Sequence, residues 1–416
     1  MHVLHRSARL LAGVLAVGTA AVLAPATAAH ADQLPLSASD QSVADRLAIR
    51  SLRSDLGKDL AGLVVDPATG QVVWSQNPDE QQIPASNAKI LTAVDALQVF
   101  GPTHQFTTRV MTGRTARRAV LVGGGDPSLT TRQLGSMART VAAGFLAQGI
   151  SRVRVQVDDS LFPTPTLAYG WKSAYTIRDV SPVRALVVDQ HRRWDTSLDA
   201  GAVFARKLAK WGVQVRSVAR KTRPEGSTVL AESLGPDLAT TVTAMLQDSD
   251  NDIAEGLHRL VALQAGYPAT WAGAQLAQKA VLAGLGITLT TPVYDGSGLS
   301  RRDRLAPSTL VAALSTVLDP AYPNLAGLQS GAFPVAGVSG TLAPNFLRYV
   351  TNPTRCAAGL IQAKTGSLSG VISLSGFARG ADGQVKVFSF LLNQVPSTLT
   401  TRRAVDRLAT TVTGCW

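Results

Sequence analysis

PASNAKI, residues 84–90, places a serine and a lysine three positions apart just after a proline. An apolar helical pattern follows in Ile90, Leu91, Val94, Leu97 and Val99, and Gly101 is a natural stop. Ser at such a start is a common helix cap. It is also where a nucleophilic serine would stand if Lys89, one turn on and on the same face, served as its base. The stretch alone leaves both open, so the choice depends on what else the chain carries and where.

Two further short motifs follow in order. DSDND supplies Ser249, Asp250 and Asn251 between two helical patterns. QAKTGSLSG places Lys364, Thr365, Gly366 and Ser367 on a β-rich run. Ser-x-x-Lys, Ser-Asp-Asn and Lys-Thr-Gly, taken together and in this order, are a catalytic signature of serine acyl transfer. A second Ser-x-Asn, Ser75–Gln76–Asn77, ends a strand pattern and is read as coincidence. GGGD at 123–126 lacks the Gly-Lys-Ser/Thr ending of a phosphate loop and is read as a tight turn.

The order of elements predicts an α+β fold. GLVVDPATGQVVWSQ (62–76) reads as a hairpin. AGLIQAKTG, GVISLSGFAR and QVKVFSFLLN, joined by short links, read as an antiparallel meander. Together these runs make a five-stranded antiparallel sheet flanked by helices, and 400–414 is a closing helix. Between them, 106–227 reads as a smaller inserted α+β domain. The catalytic domain would then comprise 32–105 and 228–416, with the chain helical again after 228.

The whole chain has 416 residues and a formal net charge of +12. Residues 1–31 combine a basic start, a short apolar run and Ala29–His30–Ala31 before Asp32, the pattern of a secretory signal peptide. The protein is therefore expected to be exported and to work outside the cytoplasm, in the cell wall or secreted. Arginine spread over a solvated surface accounts for most of the charge, with peripheral association with an anionic cell envelope as the second reading. The basic clusters RTARR and RRDR are short and lack interleaved aromatics, so no nucleic-acid partner is expected. Beyond residue 31 only His104, His191 and His258 remain, none at ligand spacing, so neither a metal nor a cofactor is implied. The two cysteines, Cys356 and Cys415, are expected to bridge in an oxidising compartment.

The motif set resembles the D-alanyl-D-alanine carboxypeptidase/endopeptidase family, the class C low-molecular-mass penicillin-binding proteins among the serine penicillin-recognising enzymes. PASNAKILTA, LVGGGDPSL, QDSDNDIAE, YDGSGLSRRDRLAP, PVAGVSGTL and AKTGSLSGV all carry the resemblance, which spans the chain after the leader. It implies peptidoglycan stem peptides as substrates and β-lactam antibiotics as covalent inhibitors. It also assigns roles. Ser86 is the nucleophile and Lys89 its base. The backbone N–H groups of Ser86 and Ser367 form an oxyanion hole. Ser249 relays a proton to the departing D-Ala amine, and Asn251 holds the substrate amide. Lys364 and Thr365 meet the terminal carboxylate, and Gly366 lets the substrate approach the strand. Asp250 is read as a loop or cap residue, not a catalyst, and Asp295 and Ser297 as turn formers outside the site.

Ser86 and Ser249 are only 163 positions apart, too close for the two nested insertions many members carry, so the inner inserted domain is inferred to be missing. A serine β-lactamase would share the three motifs, but a class A enzyme also needs Glu-x-x-Leu-Asn before the third, and none occurs here. A non-catalytic cell-wall binding protein would be suggested by a lost motif residue, and none is lost.

Overall fold

In VKVFSFLLN apolar residues do not alternate with polar ones, which marks a strand covered on both faces. The computed structural model describes residues 35–416, so the expected signal peptide lies outside the described residues. The chain opens with α1 (Ala38–Arg50), β1 (Asp59–Val65), β2 (Val72–Gln76) and α2 (Ala88–Phe100). Then come β3 (Gln105–Thr112), β4 (Arg118–Val122), α3 (Thr131–Ala147), β5 (Arg152–Asp158), α4 (Thr196–Lys210), β6 (Gln214–Arg220) and β7 (Val229–Asp237). Helices α5 (Leu238–Gln247), α6 (Asn251–Gln264), α7 (Trp271–Gly284) and α8 (Pro307–Leu318) follow. Strands β8 (Ile361–Leu368), β9 (Val371–Arg379), β10 (Val385–Asn393) and helix α9 (Leu399–Val412) close the chain.

The first sheet has the order β2-β1-β10-β9-β8 and is antiparallel throughout, as expected. It is a covered layer. Val387 and Leu391 of β10 pack with α2, α5, α6, α7 and α8 on one face. Phe388, Phe390 and Leu392 pack with Val43 and Leu47 of α1 and with Val405 and Leu408 of α9 on the other. The strand pleat sends successive side chains to opposite faces, and both faces are apolar here. Buried Lys386 ties α1 to this sheet, its Nζ 2.9 Å from Asp40 and 2.8 Å from Asp66.

The second sheet is mixed, with the order β6-β5-β4-β3-β7. Strands β4, β5 and β6 are parallel, connected by α3 and α4, whereas β3 and β7 are antiparallel additions. The return to helix comes later than expected. Residues 229–237 form β7 along β3, so this sheet extends past residue 227 to Asp237. The edge strand is largely solvated, so it shows no run of apolar alternation to mark it. Near the chain end Cys356 and Cys415 are joined as a disulfide, with Cα atoms 6.2 Å apart.

Candidate active site

Pro84 to Asn87 form one tight turn that enters α2. Every residue of α2 from Ala88 to Leu97 is buried, so the helix is a fixed axis of the core. Ala85 has a φ of 48° and Gly298, packed on it, a φ of 79°. A Cβ on Gly298 would lie 1.9 Å from the Ala85 carbonyl oxygen, so only glycine lets the two segments meet. Ser373 Oγ donates to the Pro84 carbonyl at 2.7 Å, and Asn87 Nδ2 donates to the Lys364 carbonyl at 3.0 Å. The serine turn is thereby locked against β8 and β9.

This contact revises the role expected of Gly366. Where its Cβ would point, Ser373 Oγ lies 2.0 Å away and the Pro84 carbonyl oxygen 2.9 Å away. The space a side chain would need is taken by the nucleophile's own turn. Gly366 therefore brings Ser86 close to the strand, although it also lines the cleft.

Lys89 is fully buried. Its Nζ lies 3.2 Å from Ser86 Oγ, 2.7 Å from Asn251 Oδ1 and 2.8 Å from the Ser297 carbonyl oxygen. Asn251 Nδ2 donates to the Asp179 carbonyl at 2.8 Å, which fixes the amide with its oxygen toward Lys89. Two of the three partners can only accept, and the third is a hydroxyl. An ammonium can donate to all three, and a neutral amine can donate to the two carbonyls and accept the Ser86 proton through its lone pair, so the site holds Lys89 in place in either state. Burial lowers the Lys89 pKa to about 8, against the opposing pull of Glu255, Asp295, Asp250 and Asp252. At pH 7 roughly one molecule in ten then carries the free base, against fewer than one in a thousand for an ordinary lysine.

Helix α6 supplies two of these groups from one face. Asp250 caps it, accepting from the Ile253 N–H at 2.8 Å, so of the loop and cap readings the cap is the one seen. Asn251 begins the helix, and Glu255 lies one turn further on. Glu255 is buried and accepts from the backbone N–H groups of Gly296 at 3.2 Å and Ser297 at 2.8 Å. Burial and the Asp295 charge push its pKa up. Asp295 accepts from the N–H groups of Gly298 and Ser300, and from Trp171 Nε1 at 2.5 Å. The 294–300 turn was expected only to shape the chain. It does so, and it also presents the Ser297 carbonyl to Lys89. Glu255 and the Ser297 carbonyl had no separate mark in the sequence, because a carbonyl partner leaves no residue-type signal.

The cleft has two chambers meeting at Ser86. One, of about 210 Å³, is lined by Ser86, Ser249, Thr365, Gly366 and Ser367, together with Thr341, Arg348 and Arg402. The other, of about 560 Å³, also includes Ser86, Ser249 and Ser367, with Asn251, Tyr175 and Arg178 on its wall. The structure thus brings Ser86, Lys89, Ser249, Asn251, Thr365, Gly366 and Ser367 together. Ser249 sits at the α5–α6 turn with a φ of 57°. Thr365 Oγ1 pairs with Thr341 Oγ1 at 2.7 Å.

Lys364 belongs to the same centre but lines neither chamber. It is fully buried, its Nζ donates to the Thr365 carbonyl at 2.9 Å, and burial together with the Lys89 charge lowers its pKa. Direct contact between Lys364 and a substrate carboxylate, as expected from sequence, does not fit this placement. A half-buried guanidinium, that of Arg402, does reach the cleft beside the strand, and its Nη2 donates to Ser367 Oγ at 3.2 Å. The disulfide cysteines lie away from both chambers.

The chain is similar to known proteins over most of its length. The model of the D-Ala-D-Ala carboxypeptidase 3 (S13) family matches residues 43–193 and 190–412. The chain is 34% identical over 391 residues to a carboxypeptidase of Mycobacterium tuberculosis, covering 89% of this chain and 83% of that one. It is 28% identical over 431 residues to a D-alanyl-D-alanine carboxypeptidase of Actinomadura sp., covering 80% and 77%. Its fold is similar to that of penicillin binding protein 4 from Haemophilus influenzae, with a TM-score of 0.74 at 23% identity, covering 88% of this chain and 98% of that one.

Proposed function

The chain belongs to the D-Ala-D-Ala carboxypeptidase 3 (S13) family, and we propose that it cleaves peptidoglycan stem peptides through an acyl-enzyme on Ser86. It is a serine-type D-Ala-D-Ala carboxypeptidase, a hydrolase. The observation that carries the assignment of Ser86 is that the fully buried Lys89 holds its Nζ 3.2 Å from Ser86 Oγ, with Asn251 and the Ser297 carbonyl fixing it there.

In acylation Ser86 Oγ attacks the carbonyl carbon of the penultimate D-Ala, and its proton passes to Lys89 Nζ. The oxyanion forms beside β8, where the N–H groups of Ser86 and Ser367 are the proposed donors; losing one such donor typically costs about 10²–10³ in rate. As the C–N bond breaks, Lys89 returns the Ser86 proton to the departing D-Ala amine by way of Ser249, which frees the base for the second half of the reaction. Water then attacks the ester and gives its proton to Lys89, which passes it to Ser86 Oγ as the Oγ–acyl bond breaks, regenerating Ser86 and the free base. A β-lactam enters by the same attack, its ring amide being the bond that opens. Endopeptidase action on cross-links would use the same centre.

The Cys356–Cys415 bridge supports work in an oxidising, extracytoplasmic compartment, and the net charge of +12 supports peripheral contact with an anionic envelope. The mechanism is tested with Ser86→Ala, assayed by fluorescent-penicillin labelling and by D-Ala release. Both activities should vanish while the thermal melt stays that of the wild type. Labelling of the variant at the wild-type level would overturn the assignment. In the wild type the labelled band should persist, whereas a β-lactamase would clear it by turnover.

A further inference from the structure

We propose that Arg402, on the first turn of α9, is the residue that recognises the substrate's terminal carboxylate. The proposal rests on Ser86 being the nucleophile, because the carboxylate of a donor peptide lies one residue beyond the bond Ser86 attacks. That carboxylate must therefore enter a chamber opening at Ser86.

The chamber of about 210 Å³ has the chemistry of an anion site. Its polar lining consists of hydroxyls (Thr341, Thr365, Ser367 and Ser373 beside Ser86 and Ser249) and two guanidinium groups, with no acid among them. The two arginines are not equivalent. Arg348 is buried, and its Nε and Nη2 pair with both carboxylate oxygens of Asp406, so its charge is already answered. Arg402 is partly buried and donates to Ser367 Oγ; its Nε has no partner, and no carboxylate among the described residues pairs with it. Partial burial and the neighbouring Arg348 charge both disfavour the cation there. An arriving carboxylate relieves both effects and can be held by the guanidinium fork together with Ser367 and Thr365. Lys364, the cation of β8, is turned inward and bonded to a backbone carbonyl. Arg402 comes from a helix remote in sequence from all three motifs, so no motif spacing announces it.

The test compares acylation by a fluorescent penicillin with acylation by its carboxylate methyl ester, in the wild type and in Arg402→Gln. Loss of a charge-assisted hydrogen bond predicts a fall of roughly 10- to 100-fold for the acid. The ester rate should change by less than about threefold, so the wild-type preference for the acid collapses. Arg402→Met keeps the apolar stem and serves where the glutamine variant does not fold. An unchanged acid-to-ester ratio, or an equal loss for both probes, in a folded variant overturns the role of Arg402 and leaves Ser86 standing. Wild-type labelling that Ser86→Ala does not abolish would overturn the serine mechanism and this proposal with it.

Discussion

Lys89 concentrates the chemistry at the residue scale. Its free base is made available by burial, since an ammonium loses its water shell there, and the nearby acids pull in the opposite direction. With a pKa of about 8, the sign of the pH dependence follows. Protonated Lys89 cannot accept the Ser86 proton, so the acylation rate should rise as pH climbs through about 8 and level off above it. Below the midpoint the rate should fall about tenfold per pH unit, as for one titrating base. Stopped-flow acylation by a fluorescent penicillin over this range checks it. A rate flat from about pH 6.5 to 9.5 would exclude Lys89 as the base. At the same scale, Ser86 and Lys89 were legible from their three-residue spacing only together with the Ser-Asp-Asn and Lys-Thr-Gly motifs, because one Ser-x-x-Lys at a helix start is as well read as a cap. The inward turn of Lys364 was not legible, because a strand residue's surroundings depend on what packs over it.

Among the elements, α6 and the 294–300 turn act as one unit. Asn251 and Glu255 project from one face of the helix. The first holds Lys89, and the second holds the turn whose carbonyl also holds Lys89. Glu255→Ala leaves two buried N–H groups, those of Gly296 and Ser297, without their acceptor. We expect a stability loss of about 2–5 kcal/mol and slower acylation, as the Ser297 carbonyl is freed from its position. Urea unfolding and the acylation rate measure the two effects separately. A folded variant that acylates at the wild-type rate would show that Glu255 does not position Lys89. Helix α2 and strands β8 to β10 could be read from apolar pattern and turns, because their packing is dense and their links are short. Strand β7 could not, since its pairing with β3 crosses more than a hundred residues and its faces are largely solvated. Helix α1 likewise carries few apolar positions to mark it, with Val43 and Leu47 as its core contribution.

For the whole molecule, the disulfide joins the segment before β8 to the end of α9, across 59 positions. Closing a loop of that length reduces the unfolded chain's freedom by roughly 4 kcal/mol. Cys356→Ser/Cys415→Ser should therefore lower the urea midpoint by about 2–4 kcal/mol equivalent. It should leave acylation close to wild type, because neither cysteine lines the cleft. Equal midpoints for the double variant and the oxidised wild type would show that the bridge adds no stability. The sequence alone settled the fold class, the order of the three motifs and the serine chemistry, because these depend on local spacing, turn chemistry and residue type. Folding decided the rest. It turned Lys364 inward, gave Gly366 its place against the serine turn, carried the second sheet on to Asp237, set Glu255 and the Ser297 carbonyl behind Lys89, and brought Arg402 into the chamber that opens at Ser86. Each of these is a contact between segments far apart in the chain. Such contacts are selected by how whole surfaces pack, and no local pattern of residues encodes them.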